Sequence, residues 1–128
     1  MKIDAPCPCD SGFPLAACCA PYIRGIAFTP TALTTMRSRY TAYVLGKVDY
    51  LRETWHPTTR PTQLAADPNK RWLGLDIKNT HAGESGDIDG TVEFVARFKV
   101  AGRAHRLHEV SRFSYEGERW FYVDGDVS

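Results

Sequence analysis

Cysteine is absent after residue 19, and all four cysteines lie between residues 7 and 19. No apolar run approaches the ~20 residues that a membrane-spanning helix needs. Neither sign of charge is in excess, because 16 basic residues face 15 acidic ones and the formal net charge is +1. Nucleic-acid-binding domains carry a basic stripe. The sequence therefore predicts neither a membrane protein nor a dedicated DNA-binding protein.

The first six residues lack the apolar stretch of a secretory signal. We therefore expect a cytoplasmic protein, in a compartment where thiols stay reduced and clustered cysteines more often bind metal. With 128 residues, 43% of them hydrophobic and 12% aromatic, the chain can form one domain with a core of its own and is not disordered.

The first part of the sequence has helical periodicity. Apolar residues recur three or four positions apart from Leu33 to Val44, the spacing of one helix face. Thr29-Pro30 predicts the start of this helix and Gly46 its end. A second helix is predicted from Val48 to Trp55, because His56 precedes a proline and that position disfavours helix.

The second half alternates with a period of two, which is typical of half-buried strands. Strands are predicted around residues 73–77, 92–100, 103–115 and 120–123, with a loop from His81 to Gly90 and a closing turn at Asp124-Gly125. Helices followed by an antiparallel meander predict an α+β fold.

The cysteines form the most specific motif: Cys7 and Cys9, then an adjacent pair, Cys18 and Cys19. Four thiolates this close match a tetrahedral zinc site, and four sulfur ligands leave no open position, so we predict one structural zinc ion. Two alternatives compete. A bridge between adjacent cysteines would be strained, and four inert buried thiols are not expected at this density.

The run from Cys7 to Gly12, followed by the Cys18-Cys19 pair, resembles the SEC-C zinc motif known from the SecA C-terminus. Four later stretches are similar to the YchJ-like family of bacterial proteins: MRSRYTAY (36–43), TWHPTTRP (54–61), LHEVSRF (107–113) and RWFYVDG (119–125). The chain departs from the usual SEC-C pattern at Asp10, where Gly is common, and at Ala17, where a basic residue often stands.

This resemblance implies a SEC-C-like zinc module at residues 1–25 and a nuclear transport factor 2-like domain at residues 26–128, with helices packed on a curved antiparallel sheet. It also implies a docking role, because the SecA module contacts the chaperone SecB and the ribosome. Only the zinc roles of the four cysteines are carried over residue by residue.

The hairpin register predicts polar groups on an apolar sheet face. With a two-residue turn at Ala101-Gly102, Phe94 pairs with Glu109, and the same face carries Ser111. A carboxylate on such a face needs a partner, or its pKa rises. Glu109 and Ser111 are therefore pocket candidates, with Trp55 and His56 as a candidate rim.

A structural role for Glu109 is the alternative that the sequence favours, with Arg37 or Arg39 as its ion-pair partner. The segment from Arg37 to Arg39 is otherwise expected to be a solvated basic patch. Trp72, Trp120 and Tyr122 are expected in the core.

Three functions follow as hypotheses. The first is an adaptor that docks a protein partner through the zinc module, with no catalytic residues assigned. The second is a small-molecule-binding or enzymatic domain that uses Glu109 or His56, which a deep cavity with these two side chains within about 4 Å would favour. The third is RNA or ribosome association, which the near-zero net charge opposes and which predicts binding that depends strongly on salt.

Overall fold

The computed structural model describes residues 4–65 and 67–128. The N-terminal module, residues 4–25, holds a 3₁₀ turn and one short helix. The rest, here called the cone, holds two helices and a four-stranded sheet, so the predicted α+β class is confirmed. The elements are a 3₁₀ turn at Leu15–Ala17, α1 at Ala20–Ile23, α2 at Ala32–Leu45, α3 at Val48–Glu53, β1 at Lys70–Ala82, β2 at Asp89–Val100, β3 at Arg103–Glu116 and β4 at Arg119–Val127.

Helix α2 begins two residues later than predicted. Thr31 is its N-cap, and the Thr31 hydroxyl accepts a hydrogen bond from the Thr34 N–H at 3.0 Å. The Thr29 hydroxyl is bonded instead to the Thr35 hydroxyl at 2.6 Å. The predicted end is correct, since Gly46 adopts the left-handed conformation with φ 71°.

Helix α3 ends at Glu53 and not at Trp55, because the backbone that follows pairs with β4. The Tyr122 N–H donates to the Thr54 carbonyl at 2.8 Å, and the His56 N–H donates to the Tyr122 carbonyl at 2.7 Å. This pairing fixes Trp55 beside Tyr122, with ring centroids 5.0 Å apart.

The sheet is an antiparallel meander in the order β1-β2-β3-β4. The predicted β2–β3 register is correct: Val100 pairs with Arg103, and Phe94 pairs with Glu109. The alternation of residues 73–77 predicts Leu73 on the buried face of β1. A register shift between Trp72 and Gly74 instead leaves Leu73 45% exposed.

Two turn predictions are wrong in their bounds. Strand β1 extends to Ala82 and strand β2 begins at Asp89. The two residues at each end of the predicted loop, 81–82 and 89–90, therefore belong to strands. Strand β4 continues through Gly125 to Val127, because Gly125 pairs with Ser111 in the ladder. A Cβ on Gly125 would lie 2.8 Å from Cγ of Glu109. The absence of a side chain at Gly125 therefore leaves room for the side chain of Glu109.

The module and the cone share one apolar core. Cys9, Leu15 and Cys19 belong to the same buried cluster as Tyr40 and Phe94. That residues 1–25 and residues 26–128 fold as separate units stays a prediction. No helix in the described ranges is long and apolar enough to cross a membrane.

Candidate metal centre and cone cavity

Backbone hydrogen bonds between residues close in sequence bring the four cysteines together. The Cys7 N–H donates to the Phe13 carbonyl and the Leu15 N–H donates to the Ala5 carbonyl, both at 2.9 Å. The 3₁₀ turn then delivers Cys18 and Cys19 to the same side, and Cys19 is the N-cap of α1. The ligands thus come from a tight local reversal of the chain.

The four sulfur atoms lie within 4.8 Å of one another. Sγ of Cys18 is 3.6 Å from Sγ of Cys9 and 3.9 Å from Sγ of Cys19. A tetrahedral ion with Zn–S bonds of about 2.3 Å has sulfurs about 3.8 Å apart. All four thiols are free, and three of them are buried. The cluster therefore fits a metal ion held by four sulfurs and does not contain a disulfide.

The clustered thiols also perturb one another. Hydrogen bonds with neighbouring thiols, first with Cys19 and then with Cys7, hold the pKa of Cys9 far below the ordinary thiol value. Burial raises the pKa of Cys18 to about 11, and the bonds to Cys7 and Cys9 raise the pKa of Cys19. A divalent cation would replace the thiol protons, since sulfur ligands bind metal as thiolates.

Three side-chain contacts attach the module to the cone. Nη1 of Arg37 donates to the Cys9 carbonyl at 2.8 Å, and Oγ1 of Thr41 lies 3.6 Å from Sγ of Cys7. Oδ2 of Asp10 accepts from the Leu75 N–H at 3.0 Å. Asp10 has φ 61°, a left-handed conformation that favours glycine, which gives a physical reason for the glycine common at this point of the motif.

A cavity of about 320 Å³ lies between α2 and the concave face of the sheet. Aromatic and aliphatic groups form most of its wall, and charged groups stand on both sides of it. The lining residues are Met36, Arg39, Tyr40, Tyr43, Trp55, Ala65, Asp67, Lys70, Trp72, Phe94, Ala96, Leu107, Glu109, Ser111 and Tyr122.

Glu109 is the carboxylate of the cavity wall. Its Oε2 accepts from the Ser111 hydroxyl and from the Tyr122 hydroxyl, the latter at 3.2 Å. Burial raises the pKa of Tyr122, so the Tyr122 hydroxyl keeps the proton it donates. In the described ranges no ion pair joins Glu109 to Arg37 or Arg39. The expected ion-pair partner is therefore wrong, since Arg37 is bonded to the module instead.

Arg39 is buried, 3% exposed, and not part of a solvated patch as predicted. Its guanidinium packs against two aromatic rings, with Cζ 4.9 Å from the centroid of Trp55 and 4.7 Å from that of Tyr122. Nη1 donates to the Leu51 carbonyl at 2.8 Å and to the Thr54 hydroxyl at 2.7 Å. Burial lowers the pKa of Arg39 from its ordinary value.

Sequence reasoning missed Arg39 as a cavity residue. The available signal was its position in the apolar stripe of α2, three residues after Met36 and four before Tyr43. Trp72 and Tyr122 were assigned to the core, and both line the cavity. Trp55, Glu109 and Ser111 also line it.

His56 does not line the cavity. Its Nε2 is 2.6 Å from Oε2 of Glu116 and its Nδ1 is 2.7 Å from Oγ1 of Thr58. The ring turns away because the backbone pairing with β4 alternates the side chains of Trp55 and His56. The predicted rim therefore holds Trp55 but not His56.

Residues 31–125 match the family described as YchJ, middle NTF2-like domain. A UPF0225 protein of Cupriavidus metallidurans is 57% identical over 96% of this chain and 89% of its own length. A UPF0225 protein of Chromobacterium violaceum is 52% identical over 97% and 94%.

Two solved structures share the whole architecture. A SEC-C motif containing protein from Rhodopseudomonas palustris superposes with a TM-score of 0.84 at 32% identity, covering 95% of this chain and 98% of the other. A SEC-C motif containing protein from Psychrobacter arcticus gives a TM-score of 0.80 at 26% identity, covering 100% and 86%.

Proposed function

Since the chain belongs to the UPF0225 family and carries a YchJ middle NTF2-like domain, we propose that it is a zinc-stabilised protein that binds a small organic molecule in its cone. The family and fold resemblance drawn from the sequence is thereby confirmed. The metal and the cavity have separate roles in this proposal.

Zinc is the metal that the cluster favours. Four thiolates suit a soft or borderline tetrahedral ion, and a closed set of four sulfurs is typical of structural zinc sites. Cys7, Cys9, Cys18 and Cys19 would hold the ion, and its bonds would stabilise the turns of the module. We assign no catalytic step to it.

Ligand binding rests on one observation: a cavity of small-molecule size is lined by charged side chains that form no ion pair among the described residues. Its volume of about 320 Å³ is at the lower end of the range for small-molecule sites, which are mostly apolar with a few polar groups.

An acid–base role for Glu109 together with His56 receives no support. The His56 ring is bonded to Glu116 and Thr58 outside the cavity wall. A binding role is therefore favoured over an enzymatic one.

Filling the cavity tests the proposal. Ala96 is 1% exposed and lines the cavity, whereas Ala104 on β3 is exposed. Propylbenzene is added to wild type, Ala96→Leu and Ala104→Leu while amide spectra are recorded. We expect shifts in β2 and β3 for wild type and Ala104→Leu only. Equal shifts in all three proteins would contradict a binding cavity.

Docking of a protein partner through the module is a second candidate. Phe13 of the module is 62% exposed, and Ile26 and Phe28, in the segment that follows the module, are 74% and 59% exposed. Exposed apolar groups of this size mark contact surfaces when they cluster. The partner would present apolar side chains. We expect Phe13→Ser to abolish a specific complex that Leu73→Ser, a matched change on the sheet, leaves intact. Equal retention by both variants in an affinity-capture experiment would remove this candidate.

A further inference from the structure

We propose that the cavity ligand is an α-amino acid with an aromatic or large aliphatic side chain, its carboxylate on Arg39 and its ammonium group on Glu109. This inference rests on the proposed function and specifies its ligand.

The carboxylate site follows from the unused edge of Arg39. Nη1 makes both hydrogen bonds that the guanidinium forms with the described residues. Nε and Nη2 therefore remain, and their N–H groups form the parallel fork that binds a carboxylate with two hydrogen bonds. Among the described residues, Nε1 of Trp55 is the one side-chain nitrogen or oxygen that is both fully buried and without a partner. Because Nε and Nη2 of Arg39 also have no partner there, they must keep some accessible surface, and Arg39 lines the cavity.

Two aromatic rings pack against this guanidinium. Cζ of Arg39 lies 4.9 Å from the centroid of Trp55 and 4.7 Å from that of Tyr122, and the two rings meet edge to face with centroids 5.0 Å apart. A buried cation with no carboxylate in contact gains when an anion supplies the missing pairing.

The ammonium site follows from Glu109. Both hydrogen bonds that its carboxylate accepts from the described residues go to Oε2, so Oε1 has no donor among these residues. Tyr122 joins the two sites, because its hydroxyl donates to Glu109 while its ring faces Arg39. An acceptor from β3 and a cationic fork from α2 in the same cavity match a ligand that carries both a donor and a carboxylate.

Charge balance selects a zwitterion over a simple acid or amine. The charged lining residues are Arg39, Lys70, Asp67 and Glu109, two cationic and two anionic. A net anion would face Glu109 and Asp67 unpaired, and a net cation would face Arg39 and Lys70. The remaining wall, with Tyr40, Tyr43, Trp72 and Phe94, accommodates the side chain of the ligand.

Four probes that share a phenyl group separate these contributions: L-phenylalanine, 3-phenylpropanoate, 2-phenylethylamine and propylbenzene. The readout is the Trp55 indole N–H resonance, assigned with Trp55→Phe, in titrations of the full-length protein. We expect L-phenylalanine to bind tightest. Loss of either charged group should weaken binding roughly tenfold, as for a hydrogen bond to a charged partner.

Glu109→Gln provides the test by mutation, because glutamine keeps the side-chain shape and an acceptor oxygen. We expect it to remove the advantage of L-phenylalanine over 3-phenylpropanoate, while Glu84→Gln, a matched change on an exposed loop residue, keeps that advantage. Arg39→Met should remove the tighter binding of L-phenylalanine relative to 2-phenylethylamine. Should Arg39→Met fail to fold, Glu109→Gln still decides.

The outcomes are distinguishable. Binding of propylbenzene as tight as that of L-phenylalanine would overturn the amino-acid inference and leave the cavity function intact. Equal binding of 3-phenylpropanoate and L-phenylalanine to wild type would overturn the role of Glu109 and with it the inference. Binding of none of the four probes would remove both the inference and the proposed function.

Discussion

The two ends of the molecule differ in how completely their polar groups are satisfied. In the module, four thiols face one another within 4.8 Å, and a single ion could bond to all of them. In the cone, Arg39 and Glu109 line the same cavity with no ion pair between them among the described residues. A closed set of ligands stabilises a fold, whereas charged groups left free beside a cavity are available to another molecule.

Helix α2 connects these two regions. Arg37 and Thr41, four residues apart, contact the module at Cys9 and Cys7. Arg39 and Tyr43, also four apart, line the cavity. Because the two pairs lie on different faces of one helix, loss of the metal should be felt in the cavity through the position of α2.

Removing one metal ligand should have the largest effect. Cys9 is fully buried, and Cys9→Ser should abolish stoichiometric zinc, measured by elemental analysis. Because zinc binding is coupled to folding of the module, we expect a loss on the order of 5 kcal/mol in the free energy of unfolding. Amide spectra should show collapse of the peaks of residues 4–25, with those of β2 and β3 retained.

Ser11→Ala is the matched control, since the Ser11 hydroxyl lies 3.1 Å from Sγ of Cys18 but is not a thiol. We expect this variant to retain zinc. Collapse of the strand peaks together with those of the module in Cys9→Ser would show that the two regions do not fold as separate units. Wild type that contains no metal would contradict the zinc assignment.

A smaller effect is expected from Gly125→Ala, which acts on the cavity alone. The new Cβ would lie 2.6 Å from Cδ of Glu109, so the carboxylate must move and lose its bonds to Ser111 and Tyr122. We expect a destabilisation of roughly 1–3 kcal/mol in denaturant unfolding and no loss of zinc.

The double variant Gly125→Ala with Glu109→Ala sharpens this test. Because the clash disappears with the carboxylate, the two costs should not add in a double-mutant cycle. Additive costs would indicate that the Gly125 substitution acts on the strand itself and not on Glu109.

The smallest effect concerns His56, which lies in the cone but does not line its cavity. Hydrogen bonds from Ser114 at 2.7 Å and then from His56 at 2.6 Å hold the pKa of Glu116 below its ordinary value of 4.5. A carboxylate with a lowered folded-state pKa contributes stability above its unfolded pKa, and this contribution is lost as pH falls through the folded value. Since Glu116 is exposed, the change in stability should be slight.

Carboxyl carbon shifts in an NMR titration measure this pKa directly. Ser114→Ala should raise it, and His56→Asn should raise it less. A Glu116 pKa that responds to Ala96→Leu or to a cavity ligand would place His56 in contact with the cavity, contrary to the structure.

Much of the site could be predicted where the determining contacts are local in sequence. The β2–β3 register follows from the two-residue turn at Ala101-Gly102, so the pairing of Phe94 with Glu109 was predictable. The end of α2 at Gly46 was predictable for the same reason. The start of α2 was not, because threonines at 29 and 31 are both good caps and only the bond from Thr29 to Thr35 distinguishes them.

The sequence by itself determined the cluster of four thiols that could hold a metal ion, because four cysteines within thirteen positions can meet through short-range turns alone. Only the tertiary structure decided what surrounds the cavity. The packing of buried Arg39 against Trp55 and Tyr122 and the outward position of His56 depend on pairing between a loop and a strand far apart in the chain. Such pairing is set by the packing of the whole core, which no local pattern encodes.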